Sequence, residues 1–360
     1  MTQITNERIT IERTHEPRPR PEGNLGFGRT FSDHMFVMEW SAQKGWTGDR
    51  VAPYAPISLE PAAAVFHYGQ AMFEGLKAFR ASRGGKVSLF RVDRHTRRME
   101  GGAPRLCMPP PPPARLEAGI RAAVSVDKDW VPAAHGTALY IRPTLIATEG
   151  FLGVRPAERY LLFTVLSPVG CYYPEGIKPV KIWVEDRFTR AAPGGLGAIK
   201  AGANYASSLF AAEEARKQGW SQVLWLDAGA HRQFEEVGTM NLFVRIGDEL
   251  VTPPLKDTIL AGVTRDCVLT IARGWGMRTS ERAIGIDEVI AAHKGGTLKE
   301  VFGCGTAAVI APVGELGIGG ERYVIAGGTT GEVAQRLYDE ITGIQYGDKP
   351  DPAGWLTEVP

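Results

Sequence analysis

The chain of 360 residues has little of what would send it to a membrane, a nucleic acid or a metal. No apolar run approaches the ~18 residues of a membrane span. No block of five or more basic residues occurs, and 41 Lys and Arg against 40 Asp and Glu leave a formal net charge of +1. Nothing therefore resembles the electrostatic footprint of a nucleic-acid binder. Cysteine is scarce and scattered: Cys107, Cys171, Cys267 and Cys304, with no C-x-x-C or H-x-x-x-H spacing. No metal site is expected, and the thiols read as reduced packing residues of a cytoplasmic protein. The opening MTQITNERIT is polar and lacks the apolar core of a signal peptide. There is no G-x-x-x-x-G-K-[ST] loop and no G-x-S-x-G elbow, and the glycine-rich PGGLGA opens no Rossmann pattern.

What the chain does have is ordinary for a globular protein: 44% apolar and 22% charged residues, with 43 glycines and 25 prolines. That excludes a collagen-like, coiled-coil or mostly disordered chain. At about 100–200 residues per domain, two domains are expected. Residues 1–30, which carry PRPRP, read as an irregular arm. Residues 31–168 read as a small α/β domain, 169–179 as an interdomain loop rich in Gly, Pro and Tyr, and 180–360 as a larger domain. FSDHMFVMEW, GKVSLFRV, TALYIRPTLIATE and RYLLFTVLSP have strand character. A helix is expected over 61–73, another from Asp93, and an amphipathic one after the proline run of CMPPPPPARL. That run reads as a rigid extended connection rather than a ligand for a proline-binding module. In the second half, AGANYASSLFAAEEARKQG reads as a helix ending at Gly219. Gly247–Asp248 read as a hairpin turn, a further helix starts near Thr264, and EVFGCGTAAVIAPV reads as one strand interrupted by Gly303 and Gly305. A final helix covers 331–342.

Five short stretches bear on chemistry. PGGLGAIKAGANY sets Lys200 at the end of a glycine-dense loop before a helix. Such a lysine is either an ordinary surface residue or a Schiff-base amine. EEVGTMNLF pairs Glu235 and Glu236 ahead of a strand, either as a solvated turn or as a carboxylate facing a cofactor ring nitrogen. LAGVTRD and FGCGTAA offer backbone N–H groups and the hydroxyls of Thr264 and Thr306, suited to an anion. Arg98 in HTRRM has the fork that grips a phosphate bidentately, or is a surface arginine. Each is weak alone. Together they suit one phosphorylated aldehyde cofactor, pyridoxal 5′-phosphate.

The order of these blocks resembles the fold-type IV aminotransferases, and within them the branched-chain amino acid aminotransferases of the larger, eukaryote-like subgroup. The matching blocks are YGQAMFEGLKAFR (68–80), LFRVDRHTRRM (89–99), YIRPTLIATE (140–149) and PGGLGAIKAGANYASSL (193–209), followed by QVLWLD, EEVGTMNLF, TILAGVTRD and VFGCGTAA. They extend from about residue 25 to 345.

The resemblance implies an α+β fold with a small N-terminal α/β domain and a larger C-terminal pseudo-barrel. It implies that Lys200 forms the Schiff base and moves the proton between Cα and C4′, that Tyr205 bonds the cofactor's phenolic oxygen, and that Glu236 pairs with the ring nitrogen. Arg98, the Val263 and Thr264 backbone, and Thr306 would hold the phosphate, with Thr306 and Ala307 also presenting N–H groups to the substrate carboxylate. Phe36, Tyr68, Phe73, Tyr140 and Tyr172 would form an apolar pocket, with Arg142 at its edge and Val154 from a neighbouring subunit. The reaction implied is ping-pong transamination of leucine, isoleucine and valine with 2-oxoglutarate, giving branched-chain 2-oxo acids and glutamate, in a homodimer with shared sites. Two features depart from the family pattern. Ala203 stands where a glycine is usual, and Ala308-Val-Ile-Ala311 replaces the redox C-x-x-C of vertebrate members. The rival readings are a D-amino acid aminotransferase or aminodeoxychorismate lyase of the same fold type, a cofactor-free lysine aldolase, and a non-catalytic scaffold.

Overall fold

The computed structural model describes residues 9–21, 23–170 and 177–360. The chain forms two units, Met1–Cys171 together with Ile344–Pro360, and Tyr172–Gly343. Among the described residues no helix is long and apolar enough to cross a membrane.

The first unit is built on a mainly antiparallel sheet. Its strands are β1 (Thr10–Ile11), β2 (His34–Ser41), β3 (Gly45–Pro53), β4 (Ala71–Phe73), β5 (Leu76–Arg80), β6 (Val87–Phe90), β7 (Ala138–Ala147) and β8 (Arg159–Val169). They run in the order β1-β3-β2-β8-β7-β5-β6, with β4 also on β7. Among the described residues three α-helices accompany them: α1 (Ala64–Tyr68), α2 (Val92–Gly102) and α3 (Pro113–Val126). The spacing of apolar residues explains why α3 lies against the sheet. Leu116, Gly119, Ile120, Ala123 and Val124 recur at helical intervals and are all buried. Gly119 is required there, because a Cβ on it would collide with the Phe36 ring of β2.

The second unit contains β9 (Val180–Glu185), β10 (Gln222–Leu226), β11 (Phe234–Val237), β12 (Met240–Ile246), β13 (Glu249–Thr252), β14 (Arg278–Glu281), β15 (Leu298–Gly305), β16 (Val309–Ile318) and β17 (Glu321–Val324). β11 pairs with both β10 and β12, so the path β11-β10-β9-β16-β15-β12 returns on itself as a closed barrel. The helices are α4 (Gly202–Lys217), α5 (Val263–Gly274), α6 (Ile286–Lys294) and α7 (Glu332–Gln345), the last running on past the unit's end. β9 and β10 pair in parallel, so the chain must cross over between them, and α4 lies on that crossover. Ile182, Leu224, Leu242, Val244 and Leu316 share one buried cluster of the barrel. The fold is α+β with a barrel in its second half, as the resemblance implied.

Several expectations are corrected. The helix expected over 61–73 is only the five residues of α1, ended by Gly69 in the left-handed region at φ 59°; residues 71–73 form β4 instead. The single strand expected over 300–313 is the hairpin β15–β16, because the glycine-rich turn reverses the chain. Residues 344–360 do not stay with the second unit: β18 (Leu356–Val359) pairs antiparallel with β6. Of the arm, the described residues 9–21 and 23–30 are irregular apart from β1, which pairs parallel with β3. The proline run is packed as a connection, with Trp46 Nε1 donating to the Pro110 carbonyl at 2.9 Å. Residues 171–176 of the expected interdomain loop lie outside the described residues.

Candidate active site

In the second unit Lys200 ends the loop that enters α4. Asn204, within the first turn of that helix, sews the loop down: its Nδ2 donates to the carbonyls of Leu196 at 2.7 Å and Ile199 at 2.8 Å. Lys200 Nζ then lies 2.7 Å from Tyr205 Oη and donates to it. Ala203 sits inside the helix with ordinary helical backbone, so its methyl is accommodated without strain. Gly197 must be glycine, because a Cβ there would strike the backbone of Thr258.

Glu236 comes from the β11–β12 hairpin. A two-residue connection, Gly238–Thr239, sets Glu236 directly opposite Asn241. Asn241 Nδ2 donates to Glu236 Oε1 at 3.0 Å and to the Leu260 carbonyl at 2.9 Å. The Leu260 N–H donates to the same Oε1 at 3.1 Å. The other oxygen, Oε2, faces Arg190 Nε at 2.9 Å as an ion pair. Burial pushes the Glu236 carboxyl above its ordinary value, against the charge of Arg190, the Leu260 N–H and the charge of Lys200, which pull it down. Burial likewise raises Glu235, whose Oε1 accepts a hydrogen bond from Thr258 Oγ1 at 2.6 Å. Arg190, Asn204, Tyr205, Glu236, Thr239 and Leu260 line one small pocket.

Two backbone features suited to anions belong to the same unit. α5 starts at Val263–Thr264 after Gly262, and among the described residues no side-chain hydrogen bond caps its start. Gly262 packs so closely on Asn241 that a Cβ would strike the Asn241 side chain. Thr306 and Ala307 lie in the turn that joins β15 to β16, closed by the pairing of Gly305 with Val309. Cys304, just before that turn, is buried, and burial pushes its thiol well up, which leaves it a packing residue.

In the first unit a proline shapes the remaining candidates. Pro143 of β7 has no N–H to offer, and the facing strand breaks there into β4 and β5. In the gap the Glu74 N–H donates to the Pro143 carbonyl at 2.8 Å. Glu74 points inward to a buried cluster: Arg98 donates to it twice, at 2.7 and 2.8 Å, and His95 Nδ1 lies 2.8 Å from Oε2. Burial opposes the charge on Glu74, but Arg98 and His95 outweigh it and hold the carboxyl well below its usual range. Gly75 makes room for Tyr140, since a Cβ would land on the Tyr140 hydroxyl. That hydroxyl accepts a hydrogen bond from Arg142 Nη2 at 2.8 Å, and the Arg142 guanidinium lies 4.5 Å from the centre of the Phe73 ring. Tyr68 donates to the Leu152 carbonyl and so pins the loop that carries the exposed Val154.

Sequence reasoning brought together Lys200, Tyr205 and Glu236 in one unit, and Phe73, Tyr140 and Arg142 in the other. One candidate is corrected. Phe36 is fully enclosed between β2 and α3, so it fills the core rather than a pocket wall. Phe27 is instead the aromatic beside Tyr140, with ring centroids 4.9 Å apart. Tyr172 lies outside the described residues. Arg190 and Asn241 were missed. Asn241 had a signal in the two-residue turn that fixes its partner; Arg190 had none, since its role depends on a contact distant in sequence.

An amine hydrogen-bonded to a phenol, with a buried carboxylate and two turns rich in backbone donors in the same unit, is a set of groups that fits a phosphorylated, nitrogen-containing aldehyde. Residues 71–316 match the amino-transferase class IV family, and the chain belongs to that family. It is 52% identical to branched-chain-amino-acid aminotransferase 2 of Bacillus subtilis, over 99% of this chain and 98% of that protein. It is 47% identical to branched-chain-amino-acid transaminase 1 of the same organism, over 98% and 100%. Among solved structures, the Escherichia coli branched-chain amino acid aminotransferase superposes with a TM-score of 0.74 at 25% identity, covering 91% of this chain and 99% of that one. A T.th. branched-chain amino acid aminotransferase, solved with pyridoxamine 5′-phosphate, gives the same TM-score and identity over 90% and 98%.

Proposed function

We propose that the chain is a pyridoxal 5′-phosphate-dependent branched-chain amino acid aminotransferase, exchanging the amino group of leucine, isoleucine or valine with 2-oxoglutarate. The observation that carries this is the Lys200–Tyr205 hydrogen bond in the same unit as the buried Glu236, in a chain half identical over its length to an aminotransferase of that name. Bound there, the cofactor supplies an electron-withdrawing ring that acidifies the substrate Cα–H. Lys200 anchors it and carries the proton from Cα and back. Tyr205, which accepts from the Lys200 amine at 2.7 Å, is assigned to the cofactor's phenolic oxygen. Glu236 offers a carboxylate to the ring nitrogen, and Asn241 with the Leu260 N–H keeps that carboxylate in one orientation.

The first N–H groups of α5 and Thr306 are assigned to the phosphate, and the N–H groups of Thr306 and Ala307 to the substrate carboxylate. Phe73, Tyr140, Phe27 and Tyr68 supply apolar surface for a branched side chain. Arg142, with the Tyr140 hydroxyl, meets the γ-carboxylate of glutamate. The exposed Leu152 and Val154 support a homodimer in which the loop of the partner subunit completes each site, and a cytoplasmic location goes with this reading.

The visible absorption spectrum tests the assignment. Protein loaded with pyridoxal phosphate is expected to be yellow, to bleach with L-leucine and to recover with 2-oxoglutarate. Bleaching by D-alanine but not by leucine would move the chain to the D-amino acid branch of the fold type. A protein that stays colourless would overturn the cofactor assignment.

A further inference from the structure

We propose that Arg190 is a positioning residue of this site: it holds Glu236 as a carboxylate through the whole reaction and ties the Lys200 loop to the segment that carries Leu260. The inference rests on the assignment of Glu236 to the cofactor's ring nitrogen.

The geometry singles out Arg190. Its side chain is 8% exposed and that of Glu236 5%, so the 2.9 Å pair between Nε and Oε2 is shielded from water. Oε1 is already engaged by Asn241 and the Leu260 N–H, which leaves Oε2 as the oxygen whose partner decides the charge. The far end of the guanidinium spans two loops. Nη2 donates to the Gly197 carbonyl at 3.3 Å, three residues before Lys200, and to the Thr258 carbonyl, two residues before Leu260. One side chain thereby joins the lysine-bearing loop, the segment leading to α5 and the carboxylate.

The charges around Glu236 explain why such a residue is needed. Burial and the neighbouring Glu235 both favour the protonated form of Glu236; Arg190 and Lys200 oppose it. Glu235 is itself buried, within the field of Arg190, Lys256 and Asp227. Lys200 is the reacting amine, so its charge changes during turnover. A guanidinium does not titrate in the working range. Arg190 is therefore the cation whose charge stays constant while that of Lys200 varies.

The test uses full-length protein loaded with pyridoxal phosphate: wild type, Arg190→Gln, Arg190→Lys and Glu236→Gln. Infrared difference spectra against pH follow the protonated-carboxyl band of Glu236, identified by its loss in Glu236→Gln. In wild type that band is expected to be absent at neutral pH. Arg190→Gln is expected to move its appearance up by about 1–3 pH units and to slow single-turnover deamination of leucine roughly tenfold or more. Arg190→Lys keeps the charge but not the fork, so the band should stay near its wild-type pH while the cofactor dissociation constant rises. A protonated Glu236 band in wild type at neutral pH overturns the proposal even if Arg190→Gln does not fold. So does an Arg190→Gln protein with wild-type band and rate. If Glu236→Gln binds the cofactor and turns over like wild type, the assignment of Glu236 fails, and the proposal with it.

Discussion

Arg98 meets Glu74 through two parallel hydrogen bonds, Nε to Oε1 at 2.7 Å and Nη2 to Oε2 at 2.8 Å, on a carboxylate that is 1% exposed. A fork-to-fork pair of this kind fixes the plane of the guanidinium as well as its position. Replacing Glu74 by Gln leaves a largely buried arginine without its counter-charge and should cost about 3 kcal/mol or more of stability, read by denaturant unfolding. The pH dependence follows from the sign. The carboxyl is held well below its ordinary value of 4.5 in the folded protein. Its stabilising effect is therefore complete above that value and fades as pH falls toward the folded-state value. Glu74→Gln should flatten that acid limb of the stability curve.

Phe36 separates a core role from a substrate role. Phe36→Ala should destabilise the first unit by about 3–5 kcal/mol through the cavity it leaves against α3. At a temperature where the variant is still folded, KM for leucine should match wild type. A raised KM with unchanged stability would restore Phe36 to the pocket.

Gly75 and Tyr140 can be tested as a pair. Gly75→Ala drives a methyl into the Tyr140 hydroxyl and should cost about 1–3 kcal/mol by overpacking. It should also raise KM for 2-oxoglutarate more than for leucine, because Arg142 loses its partner. Tyr140→Phe removes the same hydrogen bond without the collision, so it should reproduce the KM change with little loss of stability.

Tyr205→Phe removes the oxygen that receives the Lys200 amine. Loss of one hydrogen bond to a charged group should lower kcat/KM about tenfold. The yellow band should persist, because the lysine remains. Lys200→Ala should abolish the band and lower activity by roughly a thousandfold or more.

Much of the site is legible in the sequence because its pieces are local. Lys200 and Tyr205 lie five residues apart across a helix start, and Glu236 and Asn241 face each other across a two-residue turn. What escapes the sequence depends on long-range packing. Arg190 acquires its partner only when two loops close over it, and no spacing announces that. Phe36 lies in the apolar run of β2 and Phe27 in the polar segment before it, and only the packing of β2 against Gly119 of α3 puts the Phe36 ring in the core. The β15–β16 hairpin reads as one strand because its turn contains Thr306-Ala307-Ala308, apolar enough to continue a β run. The short helix α1 gives way to β4 because tertiary pairing with β7 outweighs local propensity.

The return of β18 to β6 has a consequence for how the molecule is made. Phe90 finds its partner at Leu356, so the ribosome must synthesise the barrel unit before the first sheet can gain that strand. Until then β6 presents an open strand edge, on which another nascent chain has the chance to pair. Trp355, edge-on to Phe90 at 5.8 Å with its carbonyl taking the Arg91 N–H, closes that edge. Expression of chains ended before residue 355 should therefore deliver aggregates, even though every residue of the barrel would be present.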